Sequence, residues 1–212
     1  FSYYWRKLQK VEVRERIIIE SGALFGKYGI RSMTMDTLAE EMGISKRTIY
    51  ERFKDKDTLL TEVIRFYKEE RMKEALQIID SSTDVIEAMF RIMKLTISQL
   101  ERMNPVFFHD FKKYHTRVYR QMADPGEIRD MTVTRKMLET GVRQKVFREG
   151  IHIDIVNRAL HQMFDLFGHE SPLIGEGYHH RELFDHIIIP YLRGISTGKG
   201  VELLEKYRNI LS

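Results

Sequence analysis

Four side chains that can donate to or accept from nucleic-acid bases sit within seven residues of one another: Lys46, Arg47, Thr48 and Arg52. Lys and Arg fit the O6 and N7 acceptors of guanine, and Thr can meet either kind of base edge. Tyr50, Lys54 and Lys56 lie close by, with hydroxyl and ammonium groups suited to phosphate oxygens. Such contacts fix orientation without reading sequence. Thr34 and Ser45 stand at expected helix starts, where a hydroxyl can close the helix end and lie against a phosphate. This chemistry is recognition of a polyanion rather than bond-making. No Gly-rich phosphate loop is present, and no Ser, His and Asp set lies in a nucleophile motif. The groups His179, His180, His186 and His109, His115 have no metal-motif spacing and read as solvent or loop histidines. The pairs Glu40-Glu41 and Glu69-Glu70 read as solvated charge on helix faces.

Two short helices broken by a glycine turn would position the donors. Met35, Leu38, Ala39 and Met42 fall at i, i+3, i+4 and i+7, one helical face. Gly43 supplies a turn position that needs no Cβ. Ser45 can cap the following helix, and Ile44 and Ile49 have hydrophobic-staple spacing around it. Ile49 and Phe53 would bury one side of that helix, leaving Lys46, Arg47, Thr48, Glu51 and Arg52 outward and Tyr50 at the edge. This is a helix-turn-helix pattern. Its second helix suits the DNA major groove, with its N-terminal residues at base edges.

Ile17 to Phe25 with Gly29, Thr34 to Ala39, Gly43-Ile-Ser-Lys-Arg-Thr-Ile-Tyr50 and Phe53-Lys-Asp-Lys56 with Leu59-Leu60 together resemble the TetR family of one-component transcriptional regulators. The resemblance covers roughly residues 13–65. Arg47 stands where many members have glycine, and Glu51-Arg52 replaces a common aromatic–His pair, so no operator sequence is carried over. The resemblance implies an all-α chain. A three-helix DNA-binding domain would span 1–56, and a helical ligand-binding and dimerisation domain 57–212. It further implies pairing through the last two major helices and a small molecule bound in the C-terminal domain.

Composition agrees. The 212 residues allow one or two domains with a real core, and no apolar run approaches the ~18–20 residues of a membrane span. Phe1-Ser-Tyr-Tyr-Trp-Arg has no signal-peptide layout. With no cysteine there is no disulfide or thiolate metal site, which fits a reducing cytoplasm. Residues 1–56 hold 12 Lys/Arg against 8 Asp/Glu, while the remainder holds 23 of each. The formal excess of +4 is therefore confined to the first quarter, as a polyanion partner for that part would favour.

Further periodic segments predict helices over 11–28, 56–79, 85–103, a short one after Asn104-Pro105, then 127–147, 154–167, 181–196 and 201–211. Ile17, Ile18, Leu24, Phe25 and Tyr28 should face inward in the first. Ala123-Asp-Pro-Gly126 reads as a turn, 168–179 as a loop, Asp154 as a cap, and Pro190 as a bend. Ile155, Val156, Ala159, Leu160, Met163, Phe164 and Phe167 make one wide apolar face. Leu183, Phe184, Ile187, Ile188, Tyr191, Leu192 and Ile195 make another. Faces this wide can serve both a subunit core and a second subunit, although full burial within one monomer is an alternative. A dimer would match a two-half-site operator.

Phe90, Met93, Phe107, Phe108, Phe111, Tyr114, Met137, His161 and Phe164 combine aromatic, thioether and sparse polar groups, as ligand pockets do and as ordinary cores do. The short helix with Phe107, Phe108 and Phe111 should pack on Phe90 and Met93 as a gate, with Tyr114 or His161 as polar anchor. The expected protein is a cytoplasmic, non-enzymatic, dimeric regulator of double-stranded DNA without cofactor or metal. A small hydrophobic or aromatic ligand would release it from its operator. A helical carrier or enzyme with a vestigial helix-turn-helix, and a constitutive DNA-binding protein with a filled core, are the alternatives.

Overall fold

The computed structural model describes residues 12–123, 131–168 and 171–211. The expected turn at 123–126 and the segment 127–130 with Ile128 fall largely or wholly outside them. Among the described residues the elements are helices, with one isolated antiparallel bridge between Phe147 and Ser196. No helix among them is long and apolar enough to cross a membrane.

The chain divides into two compact units. One comprises 1–71 and 103–123, the other 72–102 and 124–212. The functional border expected at 56/57 is thus a different division from the compact units, because one long helix belongs to both and a later segment returns to the first.

The first unit holds α1 (Val13–Tyr28), α2 (Met35–Glu41), α3 (Lys46–Arg52), the start of α4 (Lys56–Ser81), α6 (Pro105–Tyr114) and α7 (Thr116–Ala123). Its core joins Ile17, Ile18, Phe25, Ile30, Leu38, Ile49, Phe53, Leu59, Leu60, Phe111 and Val118. Tyr28, expected inward, is exposed, and the Lys27 ammonium lies over its ring. Ile19 and Ser21 take buried places in that helix instead. Gly29 ends α1 at φ 82°, donating its N–H to the Phe25 carbonyl. A Cβ there would lie 2.9 Å from Val106 Cγ1 and 3.0 Å from Asp110 Oδ2, so both backbone sign and space call for glycine. Asn104 caps α6, accepting from the Val106 N–H, while its own backbone N–H and Nδ2 donate to the Gly26 and Lys27 carbonyls. The Pro105 start thereby pins α6 to the end of α1.

Asp55 closes the N-terminus of α4. Its Oδ1 accepts from the Thr58 hydroxyl at 2.7 Å and the Thr58 N–H at 2.8 Å. These bonds hold its carboxyl below the usual carboxylate range. The stabilisation is therefore full above the carboxylate's unfolded pKa and is lost as pH falls through the lower folded value. Asp55→Ala is expected to cost about 0.5–2 kcal/mol at neutral pH. In urea titrations the gap between variant and wild type should close in acid. A gap unchanged down to strongly acid pH would contradict the cap.

The second unit holds the rest of α4, α5 (Val85–Arg102), α8 (Met131–Arg143), α9 (Ile153–Phe164), α10 (Pro172–Gly175), α11 (His180–Leu183), α12 (Ile189–Ile195) and α13 (Gly198–Tyr207). Asp84 caps α5 by accepting from the Ile86 and Glu87 N–H groups, and the Tyr207 hydroxyl donates to its other oxygen. The helix expected to reach 147 stops at Arg143. Lys145 then turns at φ 57°, and Val146 and Phe147 pair with 195–197 through Arg148 N–H to Ile195 O and Thr197 N–H to Val146 O. Asp154 lies in the first turn of α9 rather than at its cap and pairs with Arg135. The expected loop 168–179 contains α10.

The run 180–195 is continuous but widens to a π turn over Phe184–Ile188, where the Ile189 N–H reaches the Phe184 carbonyl. Pro190 follows directly. Its ring would clash with the preceding turn in regular α geometry, and the wider turn makes room for it. The helix expected from 201 begins earlier, at Gly198, because Thr197 Oγ1 accepts from the Gly200 N–H.

Candidate nucleic-acid interface

The helix-turn-helix is built from two capped helices. Thr34 Oγ1 accepts from the Thr37 N–H at 3.0 Å, and Ser45 Oγ from the Thr48 N–H at 3.0 Å. Gly43 (φ 63°) makes the turn between α2 and α3. Leu38, Ala39, Met42, Ile49 and Phe53 form the buried side. Two α1 arginines brace it: Arg16 donates to the Met42 carbonyl at 3.0 Å, and the Arg14 guanidinium lies 5.2 Å from the Phe53 ring centroid and pairs with Glu62. With one face anchored by packing and both caps satisfied, the other face of α3 is held in place by short-range structure.

The outward face holds most of the expected contact residues. Thr34, Ser45, Lys46, Arg47, Tyr50, Arg52 and Lys54 are exposed, and Thr48 is half-buried with its hydroxyl 2.8 Å from Ser45 Oγ. Lys56 differs. Its ammonium donates to the Ile30 carbonyl beside the Phe25 ring, and burial pushes its pKa down, only partly offset by Asp110 and Asp57. Lys56 is thus turned to the protein, fastening the start of α4 to the turn after α1.

Two of the cations carry carboxylate partners that their expected use as base contacts did not anticipate. Lys46 Nζ is 2.5 Å from Asp36, whose hydrogen bond raises the lysine pKa, and Arg47 Nε is 2.7 Å from Glu51 Oε1. The second pair has the i,i+4 spacing that a helix makes adjacent and was legible from it. The first spans the turn between α2 and α3 and leaves no local signal. Arg31, absent from the expected set, is also exposed. Its N–H donates to the buried Asp110 at 2.7 Å, and its guanidinium lies over the Tyr114 ring and donates to its hydroxyl.

The nine expected ligand residues divide between the units. In the first unit Phe107 packs edge-on to Phe108, Phe111 meets Tyr119, and Tyr114 is exposed. In the second, Phe90 is fully buried edge-on to Phe184. Met137 lines a cavity of ≈ 60 Å³ with Ile79, Ser82, Asp84, Val85, Ala88, Lys136, Thr140 and Gln144. Met93 and Phe164 meet at a cleft of ≈ 40 Å³ completed by Thr96, Ile97, Leu100 and Phe167. His161 lies beside Phe164, ring centroids 6.5 Å apart.

Residues 18–63 match the family model of bacterial regulatory proteins of the tetR family. Over 156 residues the chain is 24% identical to the HTH-type transcriptional repressor KstR2 of Mycolicibacterium smegmatis, covering 71% of this chain and 75% of that protein. It is 31% identical over 102 residues to the HTH-type transcriptional regulator YvaF of Bacillus subtilis, covering 48% and 53%. Among solved structures, the fatty acid degradation regulator FadR from Bacillus halodurans superposes with a TM-score of 0.63 at 13% identity, over 89% of this chain and 97% of that one. That last likeness is one of fold.

Proposed function

We propose that this chain, which belongs to the TetR family of bacterial regulatory proteins, is a dimeric repressor whose α3 reads operator DNA and which a small apolar ligand releases. The observation that carries the reading is a doubly capped helix-turn-helix with its donors outward, inside the segment that matches the family model. Lys46, Arg47, Thr48 and Arg52 take the base edges. Tyr50, Lys54, Thr34 and Ser45 take the backbone. Lys56 holds the start of α4 rather than DNA. A regulator of this kind works in the cytoplasm, beside the chromosome.

Assembly rests on a division of faces in the second unit. Val156, Leu160, Leu183, Phe184, Ile188 and Leu192 are buried within the protomer. Ile155 remains 63% exposed, and Ala159, Met163, Phe164, Ile187 and Tyr191 are half-buried. This second apolar face fits an isologous pairing of identical helices. The ligand reading rests on the Met93–Phe164 cleft. α4 runs through both units, so a ligand that favours one arrangement of the second unit has a covalent route to the first. It shifts the equilibrium only by its differential affinity for the two states. The small volume of the cleft favours one other reading, a constitutive DNA-binding protein without ligand.

Selection of bound fragments from random duplex DNA tests the central reading. The selected site is expected to be palindromic, with affinity falling steeply as salt rises. Lys54→Ala should weaken all sequences alike and reduce the salt slope by about one. A protein that selects no sequence, even at low salt, would refute the operator-binding role.

A further inference from the structure

The Arg47–Glu51 pair places an acid on a surface that faces phosphates if the operator reading above, on which this inference rests, is right. A carboxylate there opposes non-specific DNA binding, since the sequence-independent part of affinity is neutralisation of phosphates by cations. The pair is also unusually open. The Arg47 side chain is 87% exposed and that of Glu51 54%, and one bond, Nε to Oε1 at 2.7 Å, joins them. An exposed i,i+4 ion pair contributes little to helix stability, so stability gives weak reason for an acid at this position.

The geometry of that bond leaves the useful atoms outward. Glu51 occupies Arg47 Nε, and the two terminal nitrogens of the guanidinium have no other partner among the described residues. Those terminal nitrogens suit a bidentate approach to guanine O6 and N7. Glu51 Oε2 likewise has no partner among the described residues. An ionised carboxylate only accepts, and the base-edge donor that matches it in the major groove with least ambiguity is the N4 amine of cytosine. Four helical residues advance about 6 Å, which places Glu51 within one or two base pairs of the base under Arg47.

We propose that Arg47 and Glu51 form one reading unit, in which Arg47 takes a guanine and Glu51 is a specificity-determining residue that accepts from the N4 amine of a nearby cytosine. The pre-formed bond fixes both planar groups before DNA arrives, which cuts the ordering cost of binding. Wherever the second base carries no donor, Glu51 faces an acceptor or a phosphate, and the mismatch is repulsive. Specificity thus gains a negative element as well as a positive one.

Fragment selection with wild type, Arg47→Ala, Glu51→Ala and Glu51→Gln tests this, with circular dichroism to check folding. Wild type should require cytosine at one position in each half-site, close to the guanine lost in Arg47→Ala. Glu51→Ala should erase that preference, a change of about 5- to 150-fold in the ratio of cytosine to other bases, while binding non-specific DNA more tightly. Glu51→Gln should move the preference toward adenine, since an amide offers both a donor and an acceptor. An ion pair that merely decorates the surface would leave base preference at every position unchanged in both Glu51 variants. That result overturns the proposal while leaving operator binding intact. Failure of the wild type to select any sequence would instead remove the operator reading itself, and this inference with it.

Discussion

An Ile155→Glu variant is expected to fold with near-native stability, sediment as a monomer and lose operator affinity by about 10²–10⁴-fold, the factor that linked binding of two half-sites supplies. The first expectation follows from exposure. Ile155 is 63% exposed within the protomer, so a carboxylate there remains in water and surface changes of this kind are small. The second follows from what a partner would do. On the α9 and α11–α12 surface, the proposed pairing would cover Ile155 together with Met163, Ile187 and Tyr191, and an unpaired carboxylate buried there would be strongly unfavourable. The third follows from recognition, since a monomer presents a single α3 to a two-half-site operator. Ile187→Glu is the companion variant on the facing helix. Sedimentation velocity and operator titration read both. A folded Ile155→Glu protein that still runs as a wild-type dimer with full affinity would move the interface off this face.

Much of this surface was legible in sequence because helix faces are periodic and local. The apolar runs 155–167 and 183–195 announce two-sided helices, and the structure assigns their inner sides: Val156, Leu160, Phe184 and Leu192 are buried. The caps at Thr34 and Ser45 were readable for the same reason, since a cap involves residues within one turn, whereas Asp154, read as a cap by the same rule, lies inside the first turn. What escaped depends on residues far apart in the chain. The end of α8 at Arg143 is set by pairing of 146–148 with 195–197, and by Phe147 folding back over Gly141. A Cβ on Gly141 would lie 2.3 Å from the Phe147 ring. The return of α6 to the first unit depends on Asn104 bonds to Gly26 and Lys27 and on Asp110 accepting from Arg31, contacts about eighty residues apart. In the interface, the donors on α3 followed from spacing, whereas the inward turn of Lys56 toward Ile30 followed from tertiary packing. Phe107 and Phe111 resemble Phe90 and Phe164 in residue type, and only the fold assigns them to different units.

The response to ligand should be large and should depend on the Met93–Phe164 cleft. Its ≈ 40 Å³ is well below the ~300–1,000 Å³ of drug-sized pockets, so a ligand that binds there has to widen it. A ligand must part α5 from Phe164 and Phe167, and its apparent affinity is reduced by the rarity of the open state. Methionine is the side chain best suited to such repacking, and Met93 is in place. Thr96 donates to the Ile92 carbonyl and retains capacity to accept from a ligand donor. A small apolar or aromatic compound is expected to raise the melting temperature, since it binds the native state. It should lower operator affinity by about 5- to 150-fold, the usual range of coupling between two sites. Ile97→Phe fills the cleft without adding charge. It should bind operator as tightly as wild type but respond neither in melting temperature nor in release. Should a broad set of hydrophobic compounds leave wild-type melting unchanged, the cleft is ordinary core and the protein a constitutive binder. Should Ile97→Phe respond as wild type does, the ligand enters elsewhere, and the ≈ 60 Å³ cavity beside Met137 is the next place to substitute.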